Sequence, residues 1–323
     1  MRGYERDNMD TPKFIMHLIT HKTLALLICG SFAATACSDD DGDPIADGDA
    51  GIDEGIGDGD PGEGAGEGEG EGDGDGDDTS EGDGDGATTE GGADDLCAGA
   101  CGAPNCGACP DGEDIAISNY TIGGTEVTYG QYGQFLAIAF DPGYLTGLLP
   151  AECAFKADFI PDQWPVHPAP TIPVAGVDWC DAAAYCAWSG RRLCGAIGGG
   201  PAALHDVQNA AANEWFRACS GGGVSNYPYG LNYDPSLCNT KDAGFDQTVE
   251  VGILAGCEGG SPGLFDMSGN VWEWTHACND DGECQRRGGS YFSDGPSSRC
   301  AINSVRARDH RNNNTGIRCC NSL

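Results

Sequence analysis

The chain has 323 residues, 18 cysteines, 53 glycines and a formal net charge of −35 with His neutral. So acidic a chain offers little basic surface for phosphates, which argues against nucleic acid as a partner. Cysteine at this density points away from a reducing cytosol.

In chain order, residues 1–36 read as an export signal, with Met16 a candidate true start. The apolar run from Leu24 to Ala36 is too short to span a bilayer, which needs about 20 apolar residues. It fits the apolar core of a signal peptide. Ala34-Thr35-Ala36-Cys37 then has the lipobox arrangement, with Ala where Leu is more usual. Cys37 is therefore expected to carry a lipid and to become the mature N-terminus. The expected membrane partner is reached through that lipid, in the cell envelope, and Ser38 leans towards the outer membrane or cell surface.

From Ser38 to Asp95 the chain is almost entirely Asp, Glu and Gly, without Lys, Arg or aromatic residues; 24 of the 51 acidic residues lie here. Such a segment cannot bury enough apolar surface to offset its ordering entropy, so a disordered tether is expected over 37–95. At about 3.5 Å per residue its roughly 58 residues reach on the order of 200 Å. Asp73-Gly74-Asp75-Gly76-Asp77 begins like a helix-loop-helix calcium loop. That loop needs Gly sixth and Glu twelfth, where this chain has Asp78 and Gly84.

Residues 96–110 form a small cluster with Cys97, Cys101, Cys106 and Cys109, whose pairing the sequence leaves open. With Cys29 in the signal and Cys37 lipidated, sixteen cysteines remain. An even number, dispersed in an exported chain, argues for disulfides over metal.

Residues 111–323 form one domain, large enough for its own core. Thr125–Leu136 predicts a strand-like stretch running into a helix, with Tyr132, Phe135 and Leu136 on one face. Asp178–Ser189 predicts a second helix ended by Gly190, with Trp179, Ala182, Cys186 and Ser189 in a stripe. A third helix is expected from about Ala202 to Cys219. Elsewhere Gly, Pro, Asn and Asp signal long loops, whose entropy crosslinks usually offset. Of the domain's histidines, His167, His205, His276 and His310, none lies at i+3 or i+4 from another, so they read as surface or packing residues.

Several stretches then carry a resemblance. They are Thr125–Tyr132, Pro173-Val174 with Val177-Asp178-Trp179, Ala184–Leu193, Tyr227-Pro228-Tyr229-Gly230, Gly263–Trp274, Arg287-Gly288-Gly289-Ser290-Tyr291 and Gly316-Ile317-Arg318-Cys319. In this order they resemble the formylglycine-generating enzyme (sulfatase-modifying factor) family over nearly all of 115–323. The block Asp266-Met267-Ser268-Gly269-Asn270-Val271-Trp272-Glu273-Trp274 is its most specific part. The resemblance implies an α+β fold, a loop-rich variant related to C-type lectins and here disulfide-rich.

Active members of that family oxidise a cysteine of an unfolded sulfatase to formylglycine with O2, using two cysteines that bind Cu(I). Cu(I) is soft and selects thiolates over hydroxyls. The positions corresponding to those cysteines hold Ser293 and Ser298, in a loop about three residues shorter than in active members. Copper oxidase activity is therefore not expected. A binding or structural module is, with the family's substrate groove open to an extended peptide; the rival reading is an active oxidase, or another enzyme, with a rearranged site.

The resemblance also implies a structural calcium ion held by Asp266 and Glu273 carboxylates with Gly269 and Val271 carbonyls, oxygen ligands suited to a hard cation. A second site around Asn239 and the Thr240 carbonyl is implied less fully. Two disulfides follow from the resemblance, Cys186–Cys319 and Cys219–Cys300. Proximity and parity suggest Cys278–Cys284 and Cys238–Cys257, and then Cys153–Cys180 and Cys194–Cys320.

Overall fold

The computed structural model describes residues 96–162, 164 and 169–323. The expected signal, the expected lipid site Cys37 with Ser38, the expected tether over 37–95 and His167 lie outside the described residues. Among those described, no helix is long and apolar enough to cross a membrane.

Among the described residues, four short α-helices and eight short strands carry the domain, with single 3-10 turns between them. Strands β1 (Asp114–Ile117), β2 (Tyr120–Gly123), β3 (Arg192–Leu193) and β8 (Cys319–Ser322) form one sheet in the order β1-β2-β8-β3. Strands β4 (Trp272–Cys278), β5 (Glu283–Arg287), β6 (Ser304–Ala307) and β7 (Thr315–Ile317) form the other, β6-β5-β4-β7, with β4 and β7 parallel and the other pairs antiparallel. The fold is thus a loop-rich, disulfide-rich α+β arrangement.

Helix α1 (Tyr129–Leu136) begins where Thr128 and Gln131 cap each other: the Thr128 amide donates to Gln131 Oε1 at 2.9 Å and the Gln131 amide to Thr128 Oγ1 at 3.3 Å. This reciprocal bond satisfies two of the otherwise orphaned donors of the first turn. Tyr132 and Phe135 are buried and Leu136 is half-buried. A helix that sequence periodicity did not signal, α2 (Pro142–Leu148), follows; it is capped by Asp141 and buries none of its residues. Helix α3 (Trp179–Trp188) carries a second box between Asp178 and Asp181, and Gly190 follows at φ 73°.

The third helix is a correction. Only α4 (Glu214–Cys219) is helical, and residues 202–213 run through turns. The alanines there favour helix, but the Ile197 amide donates to Ala212 O at 2.8 Å and Ala196 bridges Asn213. These tertiary bonds keep the chain out of a continuous helix until the Asn213 side chain accepts from the Phe216 amide at 2.8 Å and starts α4.

One core packs α1 and α3 on β4: Tyr132 stacks on Tyr185 at 5.5 Å, with Phe135, Trp188, Trp274 and Ile317 around them. A second holds Ile122, Trp215, Leu264 and Met267. The sixteen cysteines from Cys97 onward form eight disulfides: Cys97–Cys106, Cys101–Cys109, Cys153–Cys180, Cys186–Cys319, Cys194–Cys320, Cys219–Cys300, Cys238–Cys257 and Cys278–Cys284. The bridges closing 133 and 126 residues tie α3 and β3 to β8. In the chain-entropy account each is worth about 5 kcal/mol.

Candidate functional site

Strand β5 is followed by Gly288 and Gly289, both at positive φ (92° and 78°). A Cβ on Gly289 would lie 2.9 Å from Ser297 O, so the chain passes too close there for any other residue. This approach lays the Ser290–Ser298 loop over the protein, and both serines of interest are buried.

Ser293 Oγ accepts from the Ser290 amide at 3.0 Å and lies 3.5 Å from Ser290 Oγ. Ser298 Oγ donates to Asp294 O at 2.8 Å, and its carbonyl accepts from Ser268 Oγ at 2.6 Å. Each hydroxyl is thus engaged locally, Ser293 with Ser290 and Ser298 with Asp294. Among the described residues, neither has a histidine as a hydrogen-bond partner. His205 is exposed, and the half-buried His276 packs 5.9 Å from the Trp179 ring.

An aromatic wall rises beside this loop. Tyr227 stacks on Tyr229 at 5.5 Å and donates to Gly295 O at 3.0 Å. Tyr233 lies 5.7 Å from Tyr227 and donates to Asp242 Oδ2 at 3.0 Å. The Lys241 amide donates to Ser293 O at 3.0 Å, and the exposed Phe292 packs 4.2 Å from Tyr291. Burial pushes the Tyr229 phenol up to about 12, so this wall stays neutral at ordinary pH.

Below lies the Asp266–Glu273 turn. Asp266, Gly269 and Asn270 all adopt positive φ, and a Cβ on Gly269 would lie 2.2 Å from Asn239 O. Only glycine fits, and the Asn270 amide then reaches Asn239 O at 2.7 Å. Glu273 is buried; it accepts from Arg318 Nε at 2.9 Å and from Trp215 Nε1 at 2.5 Å. Asp266 Oδ2 accepts from the Gly252 amide at 2.6 Å.

A third carboxylate, Glu126, went unnoticed in the sequence. It accepts from Asn270 Nδ2 at 3.0 Å and the Val271 amide at 3.2 Å, fully buried. The signal was available: a lone acid in the strand-like run before α1. Burial, then the Asp266 charge, holds Glu126 well above the usual carboxylate range, and burial raises Asp266 to about 6.

Three buried acids therefore face one guanidinium, a charge imbalance that suits a divalent cation. Side chains alone do not complete a coordination shell, since among the described residues no three His, Cys, Asp or Glu side chains converge on a metal position. Main-chain oxygens such as those of Gly269 and Val271 would have to contribute. At the second position, Asn239 Oδ1 is buried with no hydrogen-bond partner among the described residues, while its Nδ2 donates to Gln247 O and Asn270 Oδ1. An orphaned buried amide oxygen fits a hard cation's preference.

Short strands, few helices and a Gly-Gly-Ser turn bonded to the Asp266–Glu273 block define a class of loop-rich, disulfide-stapled α+β domains. Residues 89–323 match the family model described as "Sulfatase-modifying factor enzyme 1-like domain", and the chain belongs to that family. It is 32% identical over 170 residues to the inactive C-alpha-formylglycine-generating enzyme 2 of Mus musculus, covering 47% of this chain and 49% of that protein. It is 28% identical over 192 residues to the formylglycine-generating enzyme of Bos taurus, covering 49% of this chain and 46% of that one. The chain thus spans about half the length of these relatives. The solved structure of PvdO from Pseudomonas aeruginosa aligns with a TM-score of 0.45 and 20% identity, covering 70% of this chain and 90% of that one.

Proposed function

We propose that the domain is an exported binding module of the cell envelope, anchored by a lipid on Cys37, whose groove holds an extended peptide and performs no copper oxidation. The inventory of sulfur carries this reading. All sixteen cysteines from Cys97 onward are in disulfides, and hydroxyls stand at Ser293 and Ser298. A hydroxyl is too hard a ligand to hold Cu(I) in place of a thiolate. The wall of Tyr227, Tyr229 and Tyr233 with the exposed Phe292 gives the groove apolar area for side chains of a bound chain. Kinship to a relative named inactive is consistent with the reading.

A structural calcium ion belongs to the same proposal. Asp266, Gly269, Val271 and Glu273 would hold it, with Glu126 adding charge, and Asn239 and Thr240 would contribute to a second. It would stiffen the turn under the serine loop.

The test incubates the purified domain with Cu(I), O2 and a cysteine-containing peptide. Retained peptide with its thiol intact is the expected result. Conversion of the cysteine to an aldehyde would mean an active oxidase with rearranged ligands and would end the binding-only reading.

A further inference from the structure

The loop after Cys153 is pinned to α3 by the Cys153–Cys180 disulfide, and this brings Lys156 against the start of the helix. Its Nζ lies 2.8 Å from Asp178 Oδ2 and 2.5 Å from Asp181 Oδ1, with the three side chains 6%, 3% and 0% exposed. The two contacts differ in kind. That to Asp178 is a regular hydrogen bond; that to Asp181 Oδ1 lacks hydrogen-bond geometry, and Oδ1 has no hydrogen-bond partner among the described residues. Asp181 Oδ2, by contrast, accepts from the Asp178 amide at 2.9 Å and from Arg311 Nη2 at 2.9 Å. The carboxyl is thus polarised: one oxygen sits between two donors, and the other faces the buried amine alone.

We propose that Lys156 and Asp181 join in an intramolecular isopeptide bond, with Asp178 carrying the proton. Proton exchange within the buried pair first gives a neutral amine and a neutral acid. The Nζ lone pair attacks Asp181 Cγ, and the displaced carbonyl electrons collect on Oδ2, where the Asp178 amide and Arg311 stabilise them as an oxyanion hole does. The Asp178 carboxylate accepts a proton from Nζ and delivers it to the Oδ1 hydroxyl. The Cγ–Oδ1 bond breaks and water leaves. One C–N bond replaces one C–O bond, no electron is gained or lost, and no co-reactant is required.

The surroundings are largely apolar and favour the protonated acid at Asp181. The Phe159 ring lies 5.7 Å from Nζ, and Tyr132, which burial keeps protonated, packs nearby. Burial and the neighbouring Asp178 charge raise Asp181 to about 6 against the pull of Lys156 and Arg311. Asp162, 3.1 Å from Arg311, is the remaining charge at the rim. Once the amide forms, Asp178 and Arg311 remain as a balanced pair, 3.1 Å apart. A crosslink here would hold the loop even where a reductant opens Cys153–Cys180.

Intact-mass measurement of the purified protein, with every disulfide reduced and alkylated, tests the proposal. A mass one water below the sequence value is expected, with a tryptic map that shows no cleavage after Lys156 and one branched peptide joining Lys156 to Asp181. The Lys156→Arg chain should keep the full mass. Asp178→Ala, which retains nucleophile and acceptor, should close slowly or not at all. The wild-type measurement decides without the variants: full mass with cleavage after Lys156, or a lost water mapped to any other residue, overturns the assignment.

Discussion

Two groups of buried charge lie in this domain, and they are built differently. At the start of α3, Asp178 and Asp181 meet Lys156 and Arg311, two acids against two bases. Under the serine loop, Glu126, Asp266 and Glu273 meet Arg318 alone among the described residues. The first group is neutral from the chain's own side chains. The second reaches neutrality only by holding protons or by taking up a cation. Burying an unpaired charge is among the costliest things a fold can do, so the two groups should respond differently to mutation, pH and metal.

The largest difference is expected from removing the single base of the unbalanced group. Arg318 bonds Glu273 and also donates to Gly123 O and Phe265 O, both at 2.8 Å. Arg318→Leu strands all three, and breaking a buried pair costs about 3–5 kcal/mol. Arg311→Leu leaves Lys156 beside both aspartates, and Arg311 is partly exposed, so a smaller loss is expected. Urea midpoints at unchanged slope measure both; equal losses would break the comparison.

The next effect is in pH. Asp266 rises from 3.8 to about 6 in the folded chain, and Glu126 shifts the same way. An acid whose folded value exceeds its unfolded one binds the extra proton when folded. Stability therefore falls as pH climbs from about 4 through about 6, by up to about 3 kcal/mol for a shift of this size. Asp181 shares that direction as a free acid and drops out if its carboxyl is in an amide. Calcium, if bound as proposed, would separate the groups, because a cation would offset ionised Asp266 and Glu126 and leave α3 untouched. Chelation should lower the melting temperature clearly near pH 7 and little near pH 5. Asp266→Ala should abolish the chelator effect; if Asp266→Ala retains it, the ion sits elsewhere.

These same groups show how far the sequence could be read. Asp178 and Asp181 sit three apart before an apolar stripe, so the start of α3 was legible, and Gly190 marked its end. The Asp266–Glu273 turn was legible as a block because its residues are contiguous. Glu126 was not, because its partners Asn270 and Val271 lie 144 and 145 residues away and nothing local marks an acid for burial. Lys156 was missed likewise: the Cys153–Cys180 bridge was expected, but nothing local says that the lysine three residues on turns back to Asp178, 22 residues away. The overlong third helix failed for the converse reason: its alanines state a local preference that pairing of Ala196 with Asn213 overrides. Local grammar carried the helix starts and the turn, while whatever depended on distant contacts waited for the fold.

The smallest effect tests whether the α3 group really is two against two. Asp162 lies 3.1 Å from Arg311 Nη1, but its side chain is 58% exposed. An exposed pair is worth about 0–1 kcal/mol, and Arg311 keeps Asp178 and Asp181 when Asp162 is neutralised. Asp162→Asn should therefore shift the urea midpoint barely or not at all. A loss approaching that of Arg318→Leu would mean that Arg311 depends on a third carboxylate for its position. The α3 group would then be three acids against two bases, a net charge of the same sign as the one beneath the serine loop, and the contrast between a self-neutral cluster and a cation-dependent one would no longer hold.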